Sequence, residues 1–406
     1  MTLAIDGGDK SIPSPLATGS RYGDDEKRQL NEAIDSQNLF YWGGSKTQAF
    51  CRQAAMHFAA KYCTATSSGT AAIHTAVATL GIAPGSEVIT SPITDFGTLI
   101  GLLYQNLIPI FADVDGGTYN LTAKSIAARI SPRTRCIIVV HLAGNPCEMA
   151  EIMELAQRHG LPVIEDCAQS YNAIHRGRKA GSFGRMGCFS LNGFKHISAG
   201  DGGFVITNDE TAYFRTQDYA DKCYDRHARG TRMTALAPCY RMTELQSAVA
   251  ISQLRKLDAI TAARSRLGTL LTSLIADVQG LSPPEIKPHN SSSYWFYLMR
   301  IDPGRFSVDR NRFVQALCAE GLAASAGYIS RPMYLEPVFV GKSFFPGVWP
   351  AEIIAGRSYD YVQGLCPVAE QVLATSIRLP ISEFFTEGDV RSIAGAIRKV
   401  ARAYAA

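Results

Sequence analysis

The chain has 406 residues, of which 46% are hydrophobic and 19% are charged. At roughly 150 residues per domain this length predicts two or three domains, and the ordinary apolar fraction excludes disordered and fibrous proteins. The net charge of +4 comes from 40 basic and 36 acidic residues, a balance too weak and too dispersed to indicate a nucleic-acid partner. Apolar runs such as residues 136–140 are far too short to cross a bilayer, so we expect no membrane span.

The cysteines indicate the compartment in which the protein works. All ten are scattered along the chain without a Cys-x-x-Cys pair, and Cys136 and Cys188 lie inside apolar runs. This usage is typical of small buried side chains in a reducing compartment. The N-terminus carries Asp6 and Asp9 and lacks the apolar core of a signal peptide. We therefore expect a cytoplasmic protein without a metal site.

The first half of the chain alternates helix and strand signals. Residues 1–20 are rich in Gly, Pro and Ser and predict an arm across a surface, and a helical pattern begins at Asp24. Ser68-Gly69-Thr70 opens a second helix, whose apolar face recurs at i, i+4 and i+7 and which Gly81 ends. Six short, mostly apolar runs predict strands buried on both faces: 87–90, 108–112, 136–141, 163–166, 188–191 and 204–207.

Helical patterns such as Met149–Arg158 separate several of these runs, which predicts an α/β fold with a large, doubly wound, mostly parallel sheet. After residue 241 the pattern changes. Thr243 and Gln246 form a capping box that starts a long helix, and a strand at 294–301 and a helix at 308–320 follow. A loop at 330–346 and a final helix from Glu387 complete the prediction. We expect an N-terminal arm (1–20), a large domain (21–260) and a smaller C-terminal α+β domain (261–406).

Two features predict a site for an anionic, nitrogen-containing ligand. Ser68-Gly69-Thr70 lies at a helix N-terminus, where free amides and the helix dipole favour a phosphate, although the same residues are also an ordinary helix cap. Asp166 ends an apolar strand and Gln169 follows it. Ligands bind at the carboxyl ends of strands in such sheets, and a carboxylate there can hold a cationic ring nitrogen or simply cap a loop.

Two further features extend this site. A strand ends at Ser190 and Lys195 follows five residues later. A lysine in an apolar loop loses its proton readily and then forms a Schiff base with an aldehyde, whereas most loop lysines are merely solvated. The glycines of 200–203 permit close backbone approach. Together the four features match pyridoxal 5′-phosphate (PLP), whose ring nitrogen pairs with Asp and whose aldehyde is held by Lys.

The motifs resemble those of the DegT/StrS family of sugar and cyclitol aminotransferases, which are fold-type I PLP-dependent enzymes. The resemblance covers nearly the whole chain and is most specific around Asp166, Gln169, Ser190 and Lys195. Segments 3–8 and 327–334 look like those of members acting on cyclitols, which shared ancestry without a shared substrate would also explain. The other matching motifs are SGTAAI (68–73), GSEVI (85–89), ADVD (112–115), TYNL (118–121), VHLAG (140–144), GSFG (181–184), GDGG (200–203) and YRMTELQ (240–246).

The resemblance implies a role for each residue. Lys195 would carry the Schiff base, Asp166 would pair with the pyridine nitrogen and Gln169 would lie near the phenolic oxygen. The residues that it assigns to the phosphate are Gly69, Thr70 and Ser190. It also implies a homodimer and a ping-pong cycle that moves nitrogen from glutamine or glutamate to a ketone. That ketone would lie on a sugar, which need not be nucleotide-linked, or on a cyclitol.

Three positions bear on this assignment. Dehydratases of the family carry His where this chain has Lys195, and we interpret the adjacent His196 as structural. Family members usually have Asn where Cys239 stands, and a thiol is a poor donor to the partner subunit's phosphate. They also place an aromatic residue where Asp95 stands, which leaves open whether Phe96 stacks on the cofactor. Besides an aminotransferase, the sequence permits a PLP-dependent dehydratase or eliminase on a related ring and a PLP-holding regulator without turnover.

Overall fold

The computed structural model describes residues 2–227, 229–230 and 233–406. The strands are β1 Tyr62–Thr66, β2 Glu87–Thr90, β3 Ile108–Phe111, β4 Thr134–Val140, β5 Val163–Asp166, β6 Ile174–His175, β7 Arg178–Lys179, β8 Met186–Ser190, β9 Gly203–Thr207, β10 Leu281–Ser282, β11 Asn290–Ser291, β12 Tyr297–Ile301 and β13 Ser376–Leu379. The helices are α1 Asp24–Asp35, α2 Lys46–His57, α3 Gly69–Thr79, α4 Gly97–Tyr104, α5 Ala123–Ala127, α6 Met149–Arg158, α7 Glu210–Ala220, α8 Glu244–Ile275, α9 Arg310–Ala319, α10 Pro337–Val340, α11 Pro350–Ala355, α12 Pro367–Thr375 and α13 Glu387–Ala403.

Within the described residues, seven strands form the central sheet in the order β1-β9-β8-β5-β4-β2-β3. β9 runs antiparallel to both of its neighbours, and the other strands run parallel to one another. The predicted mostly parallel α/β sheet is therefore confirmed, and each of the six predicted runs forms one of its strands. β1 was not predicted, because its polar and partly exposed residues give no continuous apolar signal.

The central sheet is covered on both faces. Along β4, Cys136 and Ile138 belong to one hydrophobic cluster, while Ile137 and Val139 belong to another. Successive side chains of a strand point to opposite faces, so both faces of β4 are buried. This is why its sequence is a continuous apolar run and why the sheet is doubly wound.

The C-terminal part has its own core. β10, β12 and β13 form an antiparallel sheet whose buried side chains share a cluster with those of α9 and α13. The long helix α8 joins the two parts: Ile260 is the last of its residues in the cluster around the central sheet, and Leu267 is the first in the C-terminal cluster. This change supports the boundary that we propose between 260 and 261. Sequence patterns did not predict α11, α12 or β13.

The N-terminal arm packs against the C-terminal part. Leu3 and Ile12 are buried in its cluster, and the Ile12 amide donates to the Glu320 carbonyl at 2.9 Å. The Glu320 side chain is fully buried and accepts hydrogen bonds from the Ala4 and Ser11 amides at 2.9 and 2.8 Å. Among the described residues no helix is long and apolar enough to cross a membrane.

We predict that Glu320→Gln destabilises this junction in a pH-dependent way. Burial alone would raise the pKa of Glu320, but the hydrogen bonds from Ala4, Ser11 and Lys399 lower it to about 2. A lowered pKa contributes stability above the unfolded-state value, and this contribution is lost as the pH falls toward 2. Urea unfolding should therefore show a loss of up to about 3 kcal/mol at pH 7 that shrinks between about pH 5 and pH 2. A loss independent of pH would contradict the ionic role of Glu320.

Candidate active site

The N-terminus of α3 is an open cradle. Ser68 caps the helix by accepting the Ala71 amide at 3.0 Å, while the amides of Gly69 and Thr70 find no partner among the described residues. A Cβ on Gly69 would lie 2.6 Å from the Ser190 Cβ, so only glycine lets the end of β8 approach so closely. The free amides and the Ser190 hydroxyl thus line one small space that suits a phosphate.

The turn before β9 closes the other side of this cradle. Gly200 and Gly202 have φ values of +82° and +137°, which favour glycine. A Cβ on Gly203 would lie 2.4 Å from the Ser68 carbonyl oxygen. The glycine-rich segment 200–203 therefore lets β9 pass directly against the start of α3.

Asp166 lies at the carboxyl end of β5 and is 5% exposed. One carboxylate oxygen accepts the Thr98 hydroxyl at 2.7 Å and the other accepts the Ala168 amide at 3.0 Å. Thr98 in turn pairs with the Thr94 hydroxyl at 2.6 Å. Burial raises the pKa of Asp166, and the charge of Asp95 adds to the effect. A cationic ring nitrogen next to this carboxylate would offset the free-energy cost of burying its negative charge.

Lys195 is buried next to a tryptophan ring. The residue is 9% exposed, and its Nζ is 3.8 Å from the centroid of the Trp295 ring. Burial lowers the pKa of Lys195, and the charges of Asp166 and Asp95 oppose this shift. The Trp295 indole is fixed because its Nε1 donates to the Phe194 carbonyl at 2.7 Å. The predicted lysine therefore has the reduced basicity that a nucleophilic amine needs.

Gln169 is held at both ends of its side chain. Its Oε1 accepts the Ala143 amide at 2.9 Å, and its Nε2 donates to the Tyr328 hydroxyl at 3.1 Å. Tyr328 and Trp295 come from the C-terminal part and were not predicted as site residues. No spacing in the sequence links them to Lys195, and a resemblance in 327–334 was the one available signal for Tyr328.

Asp95 and Phe96 have different surroundings in the structure. The Phe96 ring packs edge-on against Phe339, with centroids 6.1 Å apart. The Asp95 carboxylate instead acts electrostatically on Asp166, Lys195 and Tyr328. A carboxylate therefore stands at the position where the family resemblance leads one to expect an aromatic residue.

The side chains of His196 and Cys239, which the sequence analysis also noted, each form a hydrogen bond within this chain. His196 is completely buried, its Nε2 donates to the Ser293 carbonyl at 3.0 Å, and burial lowers its pKa well below the usual range. This neutral ring is fixed by the backbone, in agreement with a structural role. Cys239 is exposed and accepts the Nε–H of Arg241 at 3.1 Å.

Among the described residues, two groups of side chains have the residue types of a metal site, but their buried histidines already use their lone pairs in hydrogen bonds. In the first, His141 Nδ1 accepts the Cys147 amide at 3.0 Å, so its proton lies on Nε2, which donates to Glu165. In the second, His175 Nε2 accepts the Ala150 amide at 3.2 Å and Nδ1 carries the proton. A ligating histidine needs its lone pair on the metal side, so we retain the prediction of no metal site.

A buried lysine, an acidic strand end and a helix N-terminus at one edge of a mostly parallel sheet define the class of fold-type I transferases. The sequence profile of the DegT/DnrJ/EryC1/StrS aminotransferase family matches residues 21–398. The chain belongs to this family, and it is an aminotransferase. The predicted fold class, with a large doubly wound sheet and a smaller C-terminal α+β part, is confirmed.

Individual relatives agree with this membership. The L-glutamine:2-deoxy-scyllo-inosose aminotransferase of Streptoalloteichus tenebrarius is 31% identical over 376 residues, 88% of this chain and 86% of the relative. The GDP-perosamine synthase of Caulobacter vibrioides is 30% identical over 341 residues, 84% of this chain and 86% of the relative. The solved structure of an aminotransferase from Psychrobacter cryohalolentis superposes with a TM-score of 0.84 at 29% identity, covering 96% of this chain and all of that one.

We predict that Gly69→Ala weakens binding of PLP. The added Cβ would overlap Ser190 and narrow the cradle, and overpacking of this kind costs about 1–3 kcal/mol. The PLP dissociation constant from absorbance titration should rise roughly tenfold or more. Gly395→Ala in α13 is the control, because a Cβ there meets nothing within 4 Å. Equal affinities in the two variants would show that the cradle does not contact the ligand.

Proposed function

We propose that the protein is a PLP-dependent aminotransferase that transfers an amino group from glutamine or glutamate to a keto-sugar or keto-cyclitol. The observation that carries the proposal is the environment of Lys195, which is a buried residue whose amine lies over the Trp295 ring and within electrostatic range of Asp166. Buried cations are rare in proteins unless they are paired or functional.

The residues around Lys195 fit this cofactor. The amides of Gly69 and Thr70 and the Ser190 hydroxyl would hold its phosphate. The buried Asp166 would keep its ring nitrogen protonated, and the side chain of Gln169 would lie near its phenolic oxygen. When bound, PLP would supply an aldehyde for the lysine and an electron sink for the electron pair left when a proton is removed from the carbon that bears the amino group.

The protein's own groups would then move the protons. Burial favours the neutral form of Lys195, and a neutral amine can attack an aldehyde. When it is not linked to the aldehyde, the same amine can accept a proton as a general base and return it as a general acid. Thr98 holds Asp166 in place through its 2.7 Å hydrogen bond. Trp295 covers one side of the Lys195 amine and would restrict the access of water to it.

The relatives support the substrate classes. One is named for L-glutamine and a keto-cyclitol, and another for a nucleotide-linked amino sugar. We therefore propose glutamine or glutamate as donor and a keto-sugar, nucleotide-linked or free, or a keto-cyclitol as acceptor. A homodimer is also part of the proposal, because fold-type I sites of this family draw residues from two subunits, and light scattering of the active enzyme tests it.

Transfer is favoured over the two alternatives that the sequence permits. The dehydratases have histidine at the lysine position, whereas here Lys195 faces the site and His196 is bonded to the Ser293 carbonyl. A regulator without turnover would have no need for a buried amine of reduced basicity. The Lys195 geometry therefore favours catalysis of amino transfer over elimination or mere binding.

We predict that borohydride treatment of the PLP-loaded protein attaches a pyridoxyl group to the peptide that contains Lys195. Reduction fixes the carbon–nitrogen double bond, so the adduct identifies the attacking amine by mass spectrometry. Lys195→Ala should lose the adduct. Lys179→Ala should keep it, although Lys179 is also half-buried and its pKa is also lowered by burial. An adduct on any other lysine of the loaded enzyme would overturn the assignment.

We also predict that glutamine or glutamate converts the loaded enzyme to its amine form, and that a suitable keto-sugar or inosose reverses the change. The absorbance spectrum follows both half-reactions, and mass spectrometry of the product distinguishes an amine from a dehydrated ketone. Loss of water without nitrogen in the product would support the dehydratase, and no response to any donor would support the regulator.

A further inference from the structure

Lys195 ends a short turn in the backbone. Its amide donates to the Asn192 carbonyl at 3.0 Å, so the two residues between them, Gly193 and Phe194, are the corners of this turn. The Gly193 carbonyl accepts a guanidinium N–H of Arg21 at 2.9 Å. Arg21 therefore holds the first corner of the turn that carries the lysine.

Trp295 holds the second corner. Its Nε1 donates to the Phe194 carbonyl at 2.7 Å, and its ring centroid lies 3.8 Å from the Lys195 Nζ. The backbone of Trp295 is fixed in turn, because its carbonyl accepts a guanidinium N–H of Arg264 at 3.1 Å and its amide donates to the Ala143 carbonyl at 2.9 Å. The position of Arg264 therefore affects the tryptophan that contacts both the turn and the amine.

Glu383 joins these two arginines. Its Oε2 accepts the Nε–H of Arg264 at 2.8 Å and lies 2.6 Å from the Nη2 of the same guanidinium. Its Oε1 has no hydrogen-bond partner among the described residues and lies 4.0 Å from the Nη2 of Arg21. The side chains of Arg264 and Glu383 are only 7% and 8% exposed, so salt screens their attraction little. We call Arg21, Glu383 and Arg264 the arginine–glutamate cluster.

Helix α8 supports both arginines of this cluster. Arg264 belongs to the helix and lies between its last residue in the core of the central sheet and its first residue in the C-terminal core. The Arg21 carbonyl accepts hydrogen bonds from the side chains of Gln253 and Lys256 at 2.9 and 3.1 Å. Glu383 follows β13 in the C-terminal part. The cluster thus connects the two parts of the chain beside the turn of Lys195.

We propose that Arg21, Glu383 and Arg264 are positioning residues that set the place of the Lys195 amine for the reaction. Stability alone is a weak reason for such a cluster, because the cost of desolvation offsets the attraction in a buried ion pair. What the cluster supplies is direction, since each guanidinium, held by Glu383, also binds a backbone carbonyl that fixes the lysine turn or its tryptophan. The role in turnover rests on the proposed function, whereas the contacts can be tested without the cofactor.

The first test is deuterium labelling of the cofactor-free protein, followed by mass spectrometry of its peptides. The measured quantity is the exchange rate of the peptide with Lys195 relative to that of the peptide with β4. Arg21→Met leaves the contact between Glu383 and Arg264 intact and should raise this ratio roughly tenfold, as expected for the loss of a hydrogen bond to a charged group. Arg21→Lys keeps a cationic donor and should stay near the wild type.

Glu383→Gln tests whether the cluster acts as a unit. The single variant should also raise the exchange ratio, and the double variant with Arg21→Met should raise it by less than the product of the two single effects, because the residues are coupled. Glu387→Gln is the matched control. It removes the 2.7 Å ion pair with Arg266 of the same helix, in which both side chains are 56% exposed, and exposed pairs contribute little.

Three results of this test would overturn the proposal. One is an unchanged ratio in Arg21→Met and Glu383→Gln, and another is an equal rise in the control Glu387→Gln. The third is a full product of the two effects in the double variant, which would show that the residues act independently. If the β4 peptide exchanges faster by the same factor as the Lys195 peptide, the ratio is unchanged and the cluster merely stabilises the whole fold.

The loaded enzyme tests the consequence for the reaction. Borohydride reduction counts the sites that carry an adduct on Lys195, so kcat can be expressed per site. In Arg21→Met we expect kcat per site to fall at least about tenfold through misplacement of the amine, with KM for the amino donor nearly unchanged. An unchanged kcat per site with fewer sites would show a merely structural role and overturn the proposal. Failure of the proposed function is distinct, because the wild type would then form no adduct.

Discussion

The site depends on the cost of burying one amine. A lysine ammonium that leaves water loses far more free energy of hydration than an aromatic contact returns, so the buried Lys195 is stable only with anions nearby or as a neutral base. The structure provides both conditions in balance: burial lowers the pKa of Lys195, and Asp166 and Asp95 oppose the shift. A group poised in this way can change its protonation state during a reaction at small energetic cost.

The central sheet makes this balance possible because it fixes the charged groups on backbone elements. Asp166 ends β5, Ser190 ends β8 and Gly69 begins α3, so three separate segments meet at one edge of the sheet. Glycines let them meet, as a Cβ on Gly69 or on Gly203 would overlap its neighbour. The segment from Thr94 to Thr98 carries the Asp95 carboxylate, and its Thr98 hydroxyl orients the carboxylate of Asp166.

The sequence predicted the residues of this site through local rules. A helix cap, a polar residue at a strand end and a lysine after a strand are all short-range patterns, and each has a physical meaning by itself. Together they matched one cofactor, and the reaction class came from a resemblance to a family, which the match over residues 21–398 confirms. The roles of the individual residues stay predictions until the labelling and reduction experiments are done.

What the sequence determined by itself was the order of elements and the chemical types at the strand ends, because apolar periodicity and capping depend on neighbours in the chain. Tertiary structure alone decided that Trp295 covers Lys195, that Tyr328 reaches Gln169, and that Phe96 packs against Phe339. Gln169 and Tyr328 are 159 residues apart in the chain, and Phe96 and Phe339 are still further apart. No local pattern encodes which surfaces meet when separate cores pack together.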